Sequence, residues 1–279
     1  MKIGIGLPST IPGTRGEVVL AWARQADAGP FSSLGIIDRL VYPNYEPMIT
    51  LAACAGATQR IRLMTTVLLA PLRNPTLLAK EAATLDALSG GRLTLGLGIG
   101  GRADDFSAAS VNFHERGRLF DEQLALLHRV WSGGPVNADA GAMGPKPVSA
   151  NGPGILIGGY TPVAVKRAAK WGDGFISGAA DLQTIKQLHE VALQSWKEAK
   201  RDGKPRQVAS FYFALGDDAA ERGGAYLRDY YAFLGPQADA LARSIPTTPQ
   251  AVKDQLQQYR DLGADEVMAW PCVADLSLV

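Results

Sequence analysis

This chain offers little for disulfide or metal chemistry. It has only two cysteines and three histidines in 279 residues. Cys54 and Cys272 are far apart and lack metal-type spacing. They indicate no disulfide framework and are compatible with a reducing cytosol. No His-x-x-x-His pair or carboxylate cluster supports a metal. An excess of one charge is missing as well. Lys and Arg total 28 against 27 Asp and Glu, a net charge of +1, with no run of five basic residues. The electrostatic footprint of a nucleic-acid or anionic-membrane binder is therefore lacking. No apolar run approaches the roughly 20 residues needed to span a bilayer. The opening "MKIGIGLPSTIPG" is a poor export signal, because Gly and Pro break its short apolar stretch, and it reads better as a first strand. A cytoplasmic location is the expectation. The composition, 47% hydrophobic and 20% charged, is that of an ordinary globular protein able to bury a large core.

What is present is an alternation of short β-like runs and longer helical ones. Strands are expected at 2–8, 34–38, 62–71, 92–98, 155–159, 173–177, 208–215 and 266–271. Helical apolar spacing fills 16–28, 47–58, 75–88, 115–132, 162–171 and 182–200, then a region about 218–243 and a last helix from Thr248–Pro249 to Gly263. Asn74–Pro75 and Thr161–Pro162 read as an N-cap followed by proline at the first helical position. Only 133–154, rich in Gly, Pro, Ala and Asn, breaks the rhythm. It reads as an insertion within one domain and a candidate lid. Eight units of this kind predict parallel pairing and a single-domain (β/α)8 TIM barrel spanning 1–279, with any site at the C-terminal ends of the strands.

"LTLGLGIGG" (93–101) contains G-x-G-x-x-G at Gly96, Gly98 and Gly101. A dinucleotide loop would join its strand directly to a helix, with an acidic residue ending a second strand some 20 positions on. Here no helical apolar stripe is visible before about 115, and the available acids, Asp121 and Glu122, lie inside a helix. The glycines then either let barrel strands approach or clear room for a flat ligand at the mouth. "GGYTP" (158–162) joins a strand to a helix. Its glycines and helix N-terminus suit an anion such as a phosphate, or a plain capped connection.

The stretches "TTVLLAPLRNPTLLAKEAATLDALSGGRLTLGLGIGG", "RGRLFDEQLALLHRVW" and "ILIGGYTPVAVKRAAKWGDGFISG", in this order, resemble the bacterial luciferase-like monooxygenase family. The resemblance is strong over about 1–180, and the segment from Thr248 to Pro271 fits too. It implies a (β/α)8 barrel binding FMN or a deazaflavin coenzyme of the F420 type. It places Asp38 near the flavin ring. It matches Thr66 and Val67 to a position where many members have a non-prolyl cis peptide. Gly98 and Gly100 would border the ring, Gly158, Gly159, Tyr160 and Thr161 would form the phosphate turn, and Ser177–Gly178 the next loop. Homodimers are frequent in the family, so one is expected.

The resemblance also shows departures. Arg39 stands where several members have His, and Gly101 where the sugar-phosphate dehydrogenase branch has Glu, which argues against that chemistry. Arg39 is no general base near neutral pH but can stabilise negative charge. Asp38 and Arg39 are thus the candidate catalytic pair, with a structural Asp–Arg ion pair at the rim as the alternative. His114 reads as a helix cap or a proton relay. His128 and His189 read as structural. Arg118 and Glu122 read as an i,i+4 pair. Tyr230, Tyr231 and Phe233 line a substrate pocket or pack in a core, and the rest of the barrel mouth looks poor in aromatics.

The function this implies is flavin-dependent oxidoreduction of a small organic substrate. The leading form is monooxygenation with reduced FMN and O₂, supplied by a flavin reductase or a nicotinamide donor. The alternatives are deazaflavin hydride transfer without O₂, a flavin-binding protein without turnover, and a phosphosugar-type barrel enzyme without flavin.

Overall fold

The computed structural model describes residues 1–149, 151–178 and 180–279. Eight parallel strands close into a barrel in sequence order: β1 (Lys2–Gly6), β2 (Ser33–Ile36), β3 (Arg62–Leu69), β4 (Leu93–Gly98), β5 (Gly154–Gly158), β6 (Gly174–Ile176), β7 (Arg206–Phe213) and β8 (Glu266–Pro271). Around them lie α1 (Gly16–Ala28), α2 (Pro47–Ala57), α3 (Pro75–Leu88), α4 (Ala103–Ala108), α5 (Arg116–Trp131), α6 (Pro162–Trp171), α7 (Leu182–Glu198), α8 (Ala219–Tyr230), α9 (Pro236–Ser244) and α10 (Pro249–Asp261). The caps form as the residue types predict. Asn74 accepts from the Thr76 and Leu77 amides, and Thr161 from Ala164. No helix among the described residues is long and apolar enough to cross a membrane.

Strand alternation sorts the side chains. Leu34, Ile36, Leu93, Leu95, Leu97, Ile155 and Ile157 face outward into the layer shared with the helices. Met64, Leu156, Ile176, Val208, Tyr212, Met268 and Trp270 fill the barrel itself. They fit because the first two strands carry glycine at inward positions. A Cβ on Gly6 would sit 2.1 Å from the Trp270 ring, and one on Gly35 2.7 Å from the Met268 sulfur.

The floor of the barrel is polar. Glu266, only 1% exposed, accepts from Ser32 and Ser33 and pairs with Arg206. Burial opposes its ionisation, but these donors outweigh it and hold the carboxyl below its ordinary value. Stability from this group is therefore fully present above the ordinary glutamate range and is lost as pH falls through the lowered pKa. Glu266→Gln is expected to cost about 3–5 kcal/mol at neutral pH, because it leaves Arg206 unpaired, and to flatten the acid limb of stability. Thermal melts of both proteins from pH 7 down to pH 3 check this. Equal melts throughout that range would refute it.

Three expectations need correction. A six-residue helix, α4, does occur between Gly101 and 115, held by buried Asp105 and Phe106 rather than by a periodic stripe. The helical region 218–243 is two helices, broken at Gly235–Pro236. The stretch 133–154, with Ala150 outside the described residues, is not placed as a lid. It leads from the C-terminus of α5 to the start of β5, and so lies at the N-terminal end of the barrel. There Val148 donates its amide to Asp86 of α3 (2.8 Å), and Lys80 donates to Gly144 O.

Candidate functional site

Two adjoining cavities occupy the C-terminal mouth. The larger, about 360 Å³, runs from the ends of β3 and β4 to the β5–α6 turn. It is lined by Thr66, Val67, Gly98, Gly100, Gly158, Gly159, Tyr160, Thr161, Ser177 and Gly178, among others. The smaller, about 170 Å³, is lined by Asp38, Arg39, Arg102, Tyr212, Tyr230, Tyr231 and Trp270, among others. Thr66, Val67, Leu69, Gly101, Tyr160, Gly178 and Ser210 belong to both walls. Of the candidate catalytic and cofactor residues, Asp38 and Arg39 line the smaller cavity and the remainder the larger; Tyr230 and Tyr231 line the smaller one, and Phe233, His114, His128 and His189 line neither.

The Thr66–Val67 peptide is cis, and the pairing of β3 with β4 shifts register between Thr65 and Leu68. Val67 projects over the neighbouring glycines. A Cβ would lie 2.7 Å from Val67 at Gly98 and 2.4 Å at Gly158, and 2.1 Å from Thr65 O at Gly96. In "LTLGLGIGG", Gly96 thus serves strand packing, whereas Gly98 and Gly100 also open the cavity wall. At the far end of that cavity lie the β5–α6 turn with the N-terminus of α6, ten residues long, and Arg167 from the middle of that helix, which pairs with Asp121 (3.0 Å). A helix N-terminus beside a guanidinium suits a phosphate.

Asp38 and Arg39 do not pair with each other. Asp38 is buried and accepts at Oδ2 from Arg73 (2.9 Å) and from the Leu69 amide (2.9 Å). Burial pushes its carboxyl up from the ordinary aspartate value, against the pull of Arg73. Arg39 is instead held by Asp104 (2.9 Å) and Asp105 (3.2 Å). The expectation of an aromatic-poor mouth also fails. Tyr42, Tyr230 and Tyr231 meet edge to face, and Tyr212 shares a 2.8 Å hydrogen bond with Tyr231. Burial raises the phenols of Tyr212 and Tyr231 well above their ordinary value, so they are neutral hydroxyls at physiological pH. The expected Arg118–Glu122 pair forms at 2.6 Å, on an exposed helix face away from this chemistry.

A model of the luciferase-like monooxygenase family matches residues 1–247. The chain belongs to the luciferase-like monooxygenase family. As a member of that oxidoreductase family, it is 27% identical over 252 residues to the F420-dependent hydroxymycolic acid dehydrogenase of Mycobacterium tuberculosis, covering 85% of this chain and 69% of that one. In fold this luciferase-like chain is similar to the monooxygenase RslO1 from Streptomyces bottropensis, with a TM-score of 0.80 at 22% identity over 99% of this chain and 94% of that one. It is also similar to the oxygenating constituent of 3,6-diketocamphane monooxygenase from Pseudomonas putida, solved with FMN. The TM-score there is 0.75 at 18% identity, over 96% of this chain and 91% of that one.

Sequence reasoning missed Arg102, Asp105, Ser210, Tyr212 and Trp270. For three of them a signal was available. Ser210 and Tyr212 alternate with outward Phe211 and Phe213 along β7, and Trp270 with outward Ala269 along β8, so all three had to point inward near the strands' C-terminal ends. Arg102 and Asp105 sit in a segment too short to show a period.

Proposed function

We propose that this luciferase-like protein is a flavin-dependent oxidoreductase, holding the flavin in the larger cavity and a small organic substrate in the smaller. The observation that carries the reading is the shared wall. Thr66 and Val67 border both cavities, so a ring lying against them would present its edge to whatever fills the smaller one. Gly98, Gly100 and Gly158 would leave room for the ring. Gly159, Tyr160, Thr161 and the first turn of α6 would hold its phosphate, with Ser177 and Gly178 closing the side. When bound, the flavin supplies the redox chemistry; the protein binds it, orients the substrate and excludes water. In this reading Asp38 lies beside the ring. Arg39, held in place by Asp104 and Asp105, stabilises negative charge developing there.

FMN with O₂ is our leading cofactor assignment, supported by the fold shared with two monooxygenases, one solved with FMN. The dehydrogenase relative, which covers more than four-fifths of this chain, supports a deazaflavin and hydride transfer instead. A paired fluorescence titration of flavin-free protein decides between them. Tighter FMN binding supports the monooxygenase reading, and tighter deazaflavin binding the hydride-transfer reading. Failure of both sinks the flavin assignment. The same proposal includes a homodimer and, for FMN, a reductase or nicotinamide donor. Exposed Ile49 on α2 and Leu77 on α3, two helices that pack together, support the dimer, and light scattering on a sizing column tests it.

A further inference from the structure

The mouth contains three arginines near the smaller cavity, and two of them are ion-paired, although Arg73 keeps a buried Nε without a hydrogen-bond partner. Arg39 is paired with Asp104 and Asp105, and Arg73 with Asp38 and Glu46. Arg102 is different. It lines the smaller cavity, yet among the described residues no carboxylate lies within ion-pair distance of it. Its Nη1 is buried without a hydrogen-bond partner. Aromatic rings hold its guanidinium in place. Cζ lies 4.2 Å from the ring centre of Phe233, 4.6 Å from Tyr230 and 5.7 Å from Tyr231. Such stacking fixes the plane of the fork and lowers the entropy lost when it takes a ligand.

A buried, unpaired N–H on a cation is costly, and a native structure retains one where something else completes it. Nearby carboxylates face other donors. Asp38 accepts from Arg73 and the Leu69 amide, and Asp105 Oδ1 from the amides of Leu40 and Val41, while its buried Oδ2 lies beside Arg39 without a hydrogen bond. Asp229, on α8, accepts from the Tyr42 hydroxyl. None of these carboxylates lies within ion-pair distance of Arg102, so a ligand in the cavity would supply the acceptor. The cavity beside it is small and walled by Tyr230, Tyr231 and Trp270, surfaces that suit a flat or apolar body.

We propose that the smaller cavity recognises a small organic carboxylate, its charged end held by Arg102 and its apolar or aromatic body lying against Tyr230, Tyr231 and Trp270. This deepens the functional reading above and rests on it only in calling the ligand a substrate. An uncharged compound of the same shape would leave the Arg102 donor unpaired. It should bind less well for that reason alone.

Benzoate and its uncharged isostere benzamide are suitable probes. Calorimetric titrations would be run on wild type, Arg102→Met and Arg102→Lys, each with and without saturating FMN. The expected result is at least tenfold tighter binding of benzoate than benzamide by wild type. Arg102→Met should bring the two within twofold while leaving benzamide affinity unchanged, and Arg102→Lys should fall between. Equal binding of the two probes by wild type, no binding of either, or a preference that survives in Arg102→Met overturns the proposal. If Arg102 only cements the mouth, Arg102→Met lowers the melting temperature without changing the benzoate-to-benzamide ratio, which also overturns it. Should the Met variant fail to fold, the wild-type ratio and the Lys variant still decide. FMN affinity is read separately on the same samples. Loss of FMN binding with the benzoate preference intact sinks the flavin reading alone, and the converse sinks only this one.

Discussion

Gly159→Asp is expected to weaken flavin binding at least 100-fold, with the barrel still folded. Gly159 follows directly on β5, and a Cβ there would lie 2.5 Å from the Ala164 Cβ in the first turn of α6. Neither atom belongs to a flexible side chain, so the turn must move. The movement falls where backbone amides would meet the phosphate. The new carboxylate adds a second effect. It occupies the positive end of α6, a place that favours an anion, and repels the ligand's own. The same attraction helps the folded state tolerate the change. A 100-fold loss corresponds to about 2.7 kcal/mol, within reach of one lost anion site. Gly159→Ala separates the two effects, since it introduces the clash without the charge. The titration used to compare FMN with the deazaflavin reads the result for whichever binds. An affinity within threefold of wild type in the Asp variant would place the phosphate elsewhere.

Most of the barrel was legible because its signals are local. Eight apolar runs, Asn74–Pro75 and Thr161–Pro162 each carry their own backbone instructions, and the elements formed where those instructions lie. The ring of glycines at the mouth was legible as a ring only through the family resemblance. Spacing alone could not distinguish Gly96, which clears the Thr65 carbonyl, from Gly98, which also borders a cavity. What escaped were pairings between distant segments. Adjacent Asp38 and Arg39 suggested a couple, yet each turns to its own partner, 35 residues away at Arg73 and more than 60 away on α4. The tyrosine cluster escaped for the same reason: Tyr42, Tyr212 and Tyr230 come from a loop, a strand and a helix far apart in sequence. For 133–154 the error was one of direction. A long irregular stretch between a helix and the following strand lies at the N-terminal face of such a barrel, away from the site, and that followed from topology alone.

Asp105 is the residue whose loss should most disturb the substrate side. It is fully buried in a helix of only six residues, and it connects two walls of the mouth. Its Oδ1 accepts from the amides of Leu40 (3.1 Å) and Val41 (2.7 Å), and its Oδ2 lies 3.2 Å from Arg39 Nε. The loop it holds is otherwise tied by Arg39, which donates to the Val41 carbonyl, and by Tyr42, which donates to Asp229. Leu40 and Val41 are 51% and 44% exposed, so burial of their side chains contributes little. Asp105→Ala leaves two backbone donors unpaired and Arg39 with the half-exposed Asp104 as its one carboxylate, besides the Val41 carbonyl. The expected cost is about 3–5 kcal/mol, a drop of roughly 10 °C in melting temperature. Proteolytic nicking should then appear between Asp38 and Glu46. Asp105→Asn tests which contact matters, because an amide oxygen can still accept from Leu40 and Val41 but offers Arg39 no charge. If pinning the loop is the main role, the Asn variant keeps most of the stability and resists nicking. If neutralising Arg39 dominates, Asn and Ala melt alike. A wild-type melt in the Ala variant would mean that the loop is held by something other than this carboxylate.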